Sequence, residues 1–331
     1  MLEPGAGELI VAVDLALTCG TDLKTFRRGH PKFPCPTPLG HEFTGTIARV
    51  GRGLGGRFRE GDPVLTVPSA PCMRCDACQR GLFSLCEGLT GSNMAWGAFA
   101  DCVRIPAHVA ARNVFPRPPG LDLSHAALLE PLSCVVNGVE AMDLARRETI
   151  VVLGAGPIGL LFAALLKERG VPRVVVVGKR ALRLAAAKTM GADVVIDLDQ
   201  TPDCEAALRE IAPRGACAVV ECVGRPEVWE QAVDLVRKGG EVLFYGGCPG
   251  GSRVSLDTRR LHYEALTLKG AFHFGPSDVR VALDLILRRA LPLECLISGE
   301  YSLMDLALAF DELEAGRAIK LAIRPEAEGA A

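Results

Sequence analysis

An excess of charge of either sign is missing from this chain. Its 331 residues carry 37 Lys and Arg against 39 Asp and Glu, a net charge of −2. That balance offers nothing to draw in a nucleic-acid backbone or an anionic membrane surface. The opening residues, Met1-Leu2-Glu3-Pro4-Gly5, lack the basic and apolar parts of a secretion signal, so the expected compartment is the cytoplasm. Low-complexity segments and short internal repeats are also missing, which argues against solenoid and low-complexity architectures. One apolar run, Ile150 to Leu166, is uncharged over 17 residues and borders on a membrane span. Its first half holds Gly154, Gly156, Pro157 and Gly159, which argue against one continuous helix. A buried parallel strand followed by a helix accounts for the same apolarity.

Cysteine is not scarce. Thirteen of them in a reducing compartment are expected as thiols or metal ligands rather than disulfides. The length suggests two domains, with ample chain to bury a core.

Within the apolar run, Ile150-Val151-Val152-Leu153 reads as a buried strand, and Gly154-x-Gly156-x-x-Gly159 follows at once. Leu160 to Leu166 reads as a helix, and a second apolar strand, Val174 to Val177, comes next. A dinucleotide site needs this order. The first glycine makes the tight turn, the second lets backbone approach a pyrophosphate, and the third lets helix and strand pack closely. The helix N-terminus, with Pro157 and Ile158, then offers free N–H groups to the phosphates. The competing reading is an ordinary tight strand-to-helix turn.

The motif Cys72-x2-Cys75-x2-Cys78-x7-Cys86 puts four cysteines in 15 residues. Four thiolates on a compact loop suit a closed tetrahedral zinc site. A bacterial iron–sulfur run closes with a three-residue gap and Cys-Pro, whereas here the gap is seven and Glu87 follows. Unliganded thiols are the other alternative.

Ahead of that lobe, residues 8–17 read as a strand and Cys19-Gly20-Thr21-Asp22 follows. Pro31, Pro34, Pro36 and Pro38 mark an extended loop ending at Gly40-His41-Glu42, and residues 46–50 read as another strand. Short strands, many turns and no long helix make the first third an irregular β domain. Ser124 to Leu144 reads as helical, broken or kinked by Pro131. From residue 150, strands are expected at 150–153, 173–177, 193–197, 216–221, 241–245 and 265–271. Helices are expected at 157–169, 180–190, 203–211, 226–237, 277–289 and 302–314. Such alternation means a parallel sheet covered on both faces. A short strand, Ala318 to Ile323, closes the chain.

Taken together, Cys19-Gly20-Thr21-Asp22, Gly40-His41-Glu42, the four-cysteine lobe, Glu130-Pro131 and the glycine triplet resemble the zinc-containing medium-chain dehydrogenase/reductase family. The resemblance runs from about residue 4 to residue 325. The Glu-Pro pair resembles the sorbitol (polyol) and threonine dehydrogenase branch. It implies an α/β fold of two domains with a cleft between them: an irregular β-rich, GroES-like catalytic domain at 1–131 and 273–331, and a doubly wound Rossmann domain at 132–272. It also implies a homo-oligomer, a dimer or tetramer, acting on a small alcohol, polyol or sugar, with no nucleic-acid or membrane partner. Two departures stand out. Relatives carry a further stretch ahead of the segment matching Glu3-Pro4-Gly5. Many also place a proton-relaying histidine where this chain has Lys24.

Cys19 and His41 suit a borderline-soft zinc ion, and a catalytic site needs three protein ligands with one position open. By resemblance Glu42 or Glu130 supplies the third, or Glu130 holds a water. Thr21 is implied as acceptor of the substrate proton. Asp22 is read as the partner of the far nitrogen of His41, with turn and cap roles as the plain alternatives. Lys320 resembles the family's basic contact to the cofactor pyrophosphate, and a solvated lysine is the alternative. Cys134, Cys204, Cys217, Cys222, Cys248 and Cys295 have no partner spacing and read as core or surface thiols.

An NAD site places Asp or Glu at the end of the second strand to bond the ribose. Here that strand ends in Gly178, followed by Lys179 and Arg180, with Arg183 just beyond. The expectation is therefore NADP(H) over NAD(H), with one catalytic and one structural zinc per chain. Two rival functions are an amino-alcohol dehydrogenase of the threonine type and a non-catalytic nucleotide-binding protein on the same fold.

Overall fold

The structure is a computed structural model and describes residues 2–29, 36–89, 94–145 and 148–325. Residues 30–35 of the proline-rich loop, with Pro31 and Pro34, lie outside the described residues. In chain order the strands are β1 Leu9–Leu17, β2 Glu42–Val50, β3 Pro63–Thr66, β4 Cys102–Ile105, β5 Val114–Pro116, β6 Thr149–Leu153, β7 Arg173–Gly178, β8 Val194–Asp197, β9 Ala216–Glu221, β10 Val236–Phe244, β11 Thr267–Gly270, β12 Ile297–Ser302 and β13 Lys320–Arg324. Four helices bear on the sites: α1 Gly20–Arg28, α2 Leu129–Glu140, α3 Pro157–Glu168 and α4 Ala181–Thr189.

The chain divides into two compact units. The first comprises Met1–Cys134, His273–Arg289 and Ile297–Ala331, and the second Val135–Phe272 and Ala290–Leu296. In the first, one sheet has the order β12-β13-β1-β2-β3-β5, with β4 also paired to β1. β1 is antiparallel to β2, β4 and β13. Its fully buried Leu9, Val11 and Ala16 pack with Phe43, Ile47, Val64 and Ile105 in one apolar cluster.

The second unit is a six-stranded sheet in the order β11-β10-β9-β6-β7-β8, parallel throughout. Every residue of β6 is buried, as a central parallel strand covered on both faces requires. The order reverses beside β6, the place where such sheets open a crevice for a ligand. The uncharged run resolves into β6 and α3, and no helix among the described residues is long and apolar enough to cross a membrane.

Two local expectations differ from the structure. The irregular first third contains α1, nine residues long. Cys19 caps it, Asp22 sits in the first turn and Arg27 and Arg28 in the last, which suits the helix dipole. Its buried residues are Asp22 and Thr25, so no apolar stripe announces it. The helical stretch from Ser124 breaks at Leu128 rather than at Pro131. Pro131 lies in the first turn of α2, where its missing N–H is not needed.

Candidate active site and metal centres

Three strand ends bring the first group together. At the end of β1, Leu17 pairs with Glu42 of β2 and Ala322 of β13. The residues at and beyond these ends therefore meet: Thr18 and Cys19, His41 and Glu42, and Lys320. Thr18 and Leu321 lock the corner, with Thr18 N donating to Leu321 O and Leu321 N to Thr18 Oγ1, both at 2.9 Å. Cys19 Sγ accepts Thr21 N at 3.4 Å. Asp22 is buried, and its Oδ1 accepts Gly40 N at 2.9 Å and faces His41 Nδ1 at 3.2 Å. That contact fixes the ring and leaves Nε2 as the nitrogen directed elsewhere. Trp96 meets the same ring edge-on at 4.7 Å. Thr21 is half-buried in the first turn of α1, and Lys24 on that helix is exposed.

The ligand atoms of Cys19, Asp22 and His41 lie within 4.8 Å of one another, as do those of His41, Glu42 and Glu130. Burial opposes charge on His41, yet Asp22 and Cys19 hold its pKa well above the ordinary value. Glu130 is pushed up to about 7 by burial, with His41 opposing and Glu42 adding to the rise. Both shifts have one origin. Three acids and a thiol are gathered around one imidazole and one ammonium, away from water. Thiolate, imidazole and carboxylate are donors that zinc takes, and a divalent cation would relieve the crowding of like charge. The residues present fit zinc.

Lys320 is not a solvated lysine. Its side chain is buried, and the ammonium donates to Thr18 O at 2.8 Å and pairs closely with Glu42. Burial opposes its charge, but Glu42 and Cys19 raise its pKa. Lys320 is thus a buried counter-ion of Glu42. A third ligand-bearing group, Glu130, Cys134 and His273, also lies within 4.8 Å. Sequence reasoning missed it, although the four-residue step from Glu130 to Cys134 is a helical-face signal. Burial and the His41 charge lower the His273 pKa to about 4.

The lobe at Cys72, Cys75, Cys78 and Cys86 brings all four sulfurs within 4.8 Å of one another, with Cys72–Cys78 at 4.0 Å and Cys75–Cys86 at 3.9 Å. Zn–S bonds of about 2.3 Å give tetrahedral edges of about 3.8 Å, so four thiolates here fit one zinc. Backbone N–H groups of Cys72 and Gly88 point at Cys86 Sγ at 3.2 and 3.3 Å, and that of Cys75 at Cys72 Sγ at 3.4 Å. The N–H groups of Arg74 and Cys75 lower the Cys72 thiol to about 6, while burial pushes Cys78 up to about 12.

In the second unit the glycine triplet has the geometry its spacing implies. Gly154 has φ +110°, and a Cβ on Gly159 would stand 1.9 Å from Gly154 O. A Cβ on Gly156 would meet nothing within 4 Å, so the backbone faces open space there. Pro157 begins α3 and no side chain caps that end, which leaves N–H groups for an anion. Glu221, another residue the sequence reading passed over, closes β9, and its Oε1 accepts Val223 N at 2.7 Å and Gly224 N at 2.9 Å.

Beyond β7, Gly178 is set by packing. A Cβ there would lie 2.6 Å from Ala155 Cβ, so packing against the glycine loop demands the glycine. Lys179 pairs with Asp199 at 3.2 Å on the surface. Arg180 is exposed with φ +76°, and Arg183 has a buried Nε without a hydrogen-bond partner among the described residues. Burial lowers the Arg183 pKa, and the Arg180 charge lowers it further.

Known proteins share both units. Residues 5–116 match the alcohol dehydrogenase GroES-like domain, and residues 157–288 match the zinc-binding dehydrogenase family. D-xylulose reductase A of Aspergillus oryzae is 30% identical over 331 aligned residues, covering 96% of this chain and 89% of that protein. Sorbitol dehydrogenase of Halalkalibacterium halodurans is 30% identical, covering 97% and 93%. The chain belongs to the zinc-containing medium-chain dehydrogenase/reductase family. Within it the resemblance is to the sorbitol and polyol dehydrogenase branch, and the chain is a zinc-dependent oxidoreductase of the polyol and alcohol class. A candidate zinc-binding dehydrogenase of Sinorhizobium meliloti, solved with NADP bound, superposes with TM-score 0.87 at 29% identity, covering 98% of this chain and 94% of that one.

Proposed function

We propose that this enzyme oxidises a polyol, sugar or other secondary alcohol, or reduces the matching ketone, with NADP(H) preferred over NAD(H) and two zinc ions per chain. The observation that carries the reading is that His41 is shared by two close groups of donors in the first unit, one with Cys19 and Asp22 and one with Glu42 and Glu130. When bound there, zinc supplies a Lewis acid that polarises the substrate oxygen and lowers its pKa. A bound nicotinamide would supply the hydride chemistry, and the protein contributes position and charge. Asp22 orients the His41 ring. Lys320 holds Glu42 as a paired carboxylate, which leaves Glu130 the less encumbered third ligand. Thr21, at the first turn of α1 beside Cys19, takes the substrate proton, and exposed Lys24 or water passes it on. The four-cysteine lobe holds the second, structural zinc. The cytoplasm and a homo-oligomeric state, dimer or tetramer, belong to the same reading.

Arg180 and Arg183 support the cofactor preference. Their charges oppose each other, and the Arg183 Nε lacks a partner. A 2′-phosphate would answer both, since charge-assisted bonds contribute roughly 1.5–3 kcal/mol each. A screen of polyols and secondary alcohols with each cofactor tests the activity. Arg180→Ala with Arg183→Ala should lower the NADP/NAD ratio of kcat/KM by about tenfold or more, that is ~1.4 kcal/mol. Gly178→Asp is a poor probe, because its Cβ would strike Ala155. A wild-type ratio favouring NAD, or one indifferent to the double substitution, would remove the cofactor assignment.

A further inference from the structure

Glu130 and Cys134 stand four residues apart on α2 and so share a face of the helix. Cys134 Sγ donates to Glu130 Oε1 at 3.5 Å. His273 brings a ring nitrogen to the same place, all three ligand atoms lying within 4.8 Å of one another. The ring is braced. Its Nε2 lies 2.6 Å from Ser69 Oγ, Ser69 is fully buried, and Ser69 O accepts Asn113 Nδ2 at 2.7 Å. Phe274 stacks on the ring at 4.0 Å. The His273 backbone has φ +61°, a conformation that costs a non-glycine residue energy and is often kept where function needs it. A hydroxyl brace on one nitrogen is the arrangement that orients a ligating imidazole.

We propose that Glu130, Cys134 and His273 form a second, weaker zinc position beside the catalytic one, and that zinc entering it inhibits turnover. The donors are a carboxylate, a thiolate and an imidazole, a set that suits zinc over magnesium or calcium. Glu130 belongs to both groups and has two carboxylate oxygens, so it can bridge two metals. The position rests on the catalytic reading only through that shared residue. It is weaker because separations of up to 4.8 Å exceed the roughly 3.3–3.8 Å edges of a closed tetrahedral site, and side chains must close on the ion. Binding releases the Cys134 proton to solvent. Inhibition follows because a Glu130 held from both sides cannot exchange during turnover.

The test is titration of freshly purified, dialysed protein with Zn²⁺ alone, reading bound zinc by atomic spectroscopy and turnover in parallel. Wild type should take up one more equivalent than it was purified with and lose at least tenfold in rate. Cys134→Ser keeps a donor to Glu130 but offers a poor zinc ligand. It should bind no additional equivalent and show no loss of its own zinc-poor rate when zinc is added, and His273→Asn should likewise bind none. With Co²⁺ in place of Zn²⁺, the added equivalent in wild type should bring a thiolate charge-transfer band that Cys134→Ser lacks. Wild type binding no further zinc, or both variants binding it as wild type does, would overturn the proposal. Were the catalytic assignment itself wrong, freshly purified protein would hold one zinc, and a Cys134-dependent equivalent would still appear and support this position.

Discussion

The cysteine lobe and the His41 centre both gather metal donors, in opposite ways. The lobe takes four identical donors from 15 consecutive residues, with short-range N–H contacts to the sulfurs. Its two helical turns are short, Asp76–Gln79 and Phe83–Leu85, so a bound metal would tie them together through the four thiols. The His41 centre takes unlike donors from residues 19, 41, 42 and 130. The ends of β1, β2 and β13, locked by Thr18, Leu321 and Asp22, position the first three, and α2 carries Glu130. That corner is built by strand pairing, which gives it a frame besides the ion. A local motif can depend on its metal for structure, whereas a dispersed one is built by the fold and can leave its metal an open position.

The sharpest way to break this contrast is His41→Ala. Turnover should fall by about a thousandfold or more, the scale seen when a group stabilising transition-state charge is removed, while thermal melting stays close to wild type. A large loss of melting temperature would mean that the His41 centre is structural after all.

Lys320→Met asks whether the corner tolerates an unpaired acid. Breaking a buried ion pair from one side costs about 3–5 kcal/mol, so the metal-free protein should be destabilised on that scale. Zinc should recover part of the loss, because Glu42 can then turn to the metal. Equal denaturation midpoints for variant and wild type would show that the Lys320–Glu42 pair carries no such energy.

Cys78→Ser is the counterpart in the lobe. Loss of structural zinc should cost at least ~3 kcal/mol, a melting decrease of roughly 6 °C or more for a domain of this size. The rate per folded molecule should be preserved. Unchanged melting would remove the structural half of the contrast.

The smallest effect is expected at an exposed ion pair in the same sheet, Glu300 with Arg324 at 2.7 Å. Hydrogen bonding to Arg324 lowers the Glu300 pKa below its ordinary 4.5. The stabilisation is therefore present above the ordinary value and is lost as pH falls through the lowered one. Both side chains are nearly half exposed, so solvent screening leaves only a few tenths of a kcal/mol. Glu300→Gln should shift the denaturation midpoint slightly at pH 7 and not at pH 2.5.

The parallel sheet was legible because apolar strands and intervening helices alternate at regular intervals, and the glycine triplet marks where they begin. The cysteine lobe was legible because its spacing is local. What stayed hidden depends on register and facing. Lys320 meets Glu42 only because β13 lies against β1, a pairing that spans nearly the whole chain. α1 buries polar residues, so hydrophobic periodicity could not find it. The close approach of Gly178 to Ala155 is likewise invisible in the sequence. His273 sits far from Glu130 in sequence, and no motif joins them.

The most direct test of two separable metal centres is the zinc content of freshly purified protein, with His41→Ala and Cys78→Ser measured alongside. The account predicts two zinc ions per chain in wild type and one in each variant, with melting preserved in His41→Ala and turnover preserved in folded Cys78→Ser. No zinc in wild type, or a His41→Ala protein that keeps both ions and still turns over, would contradict it.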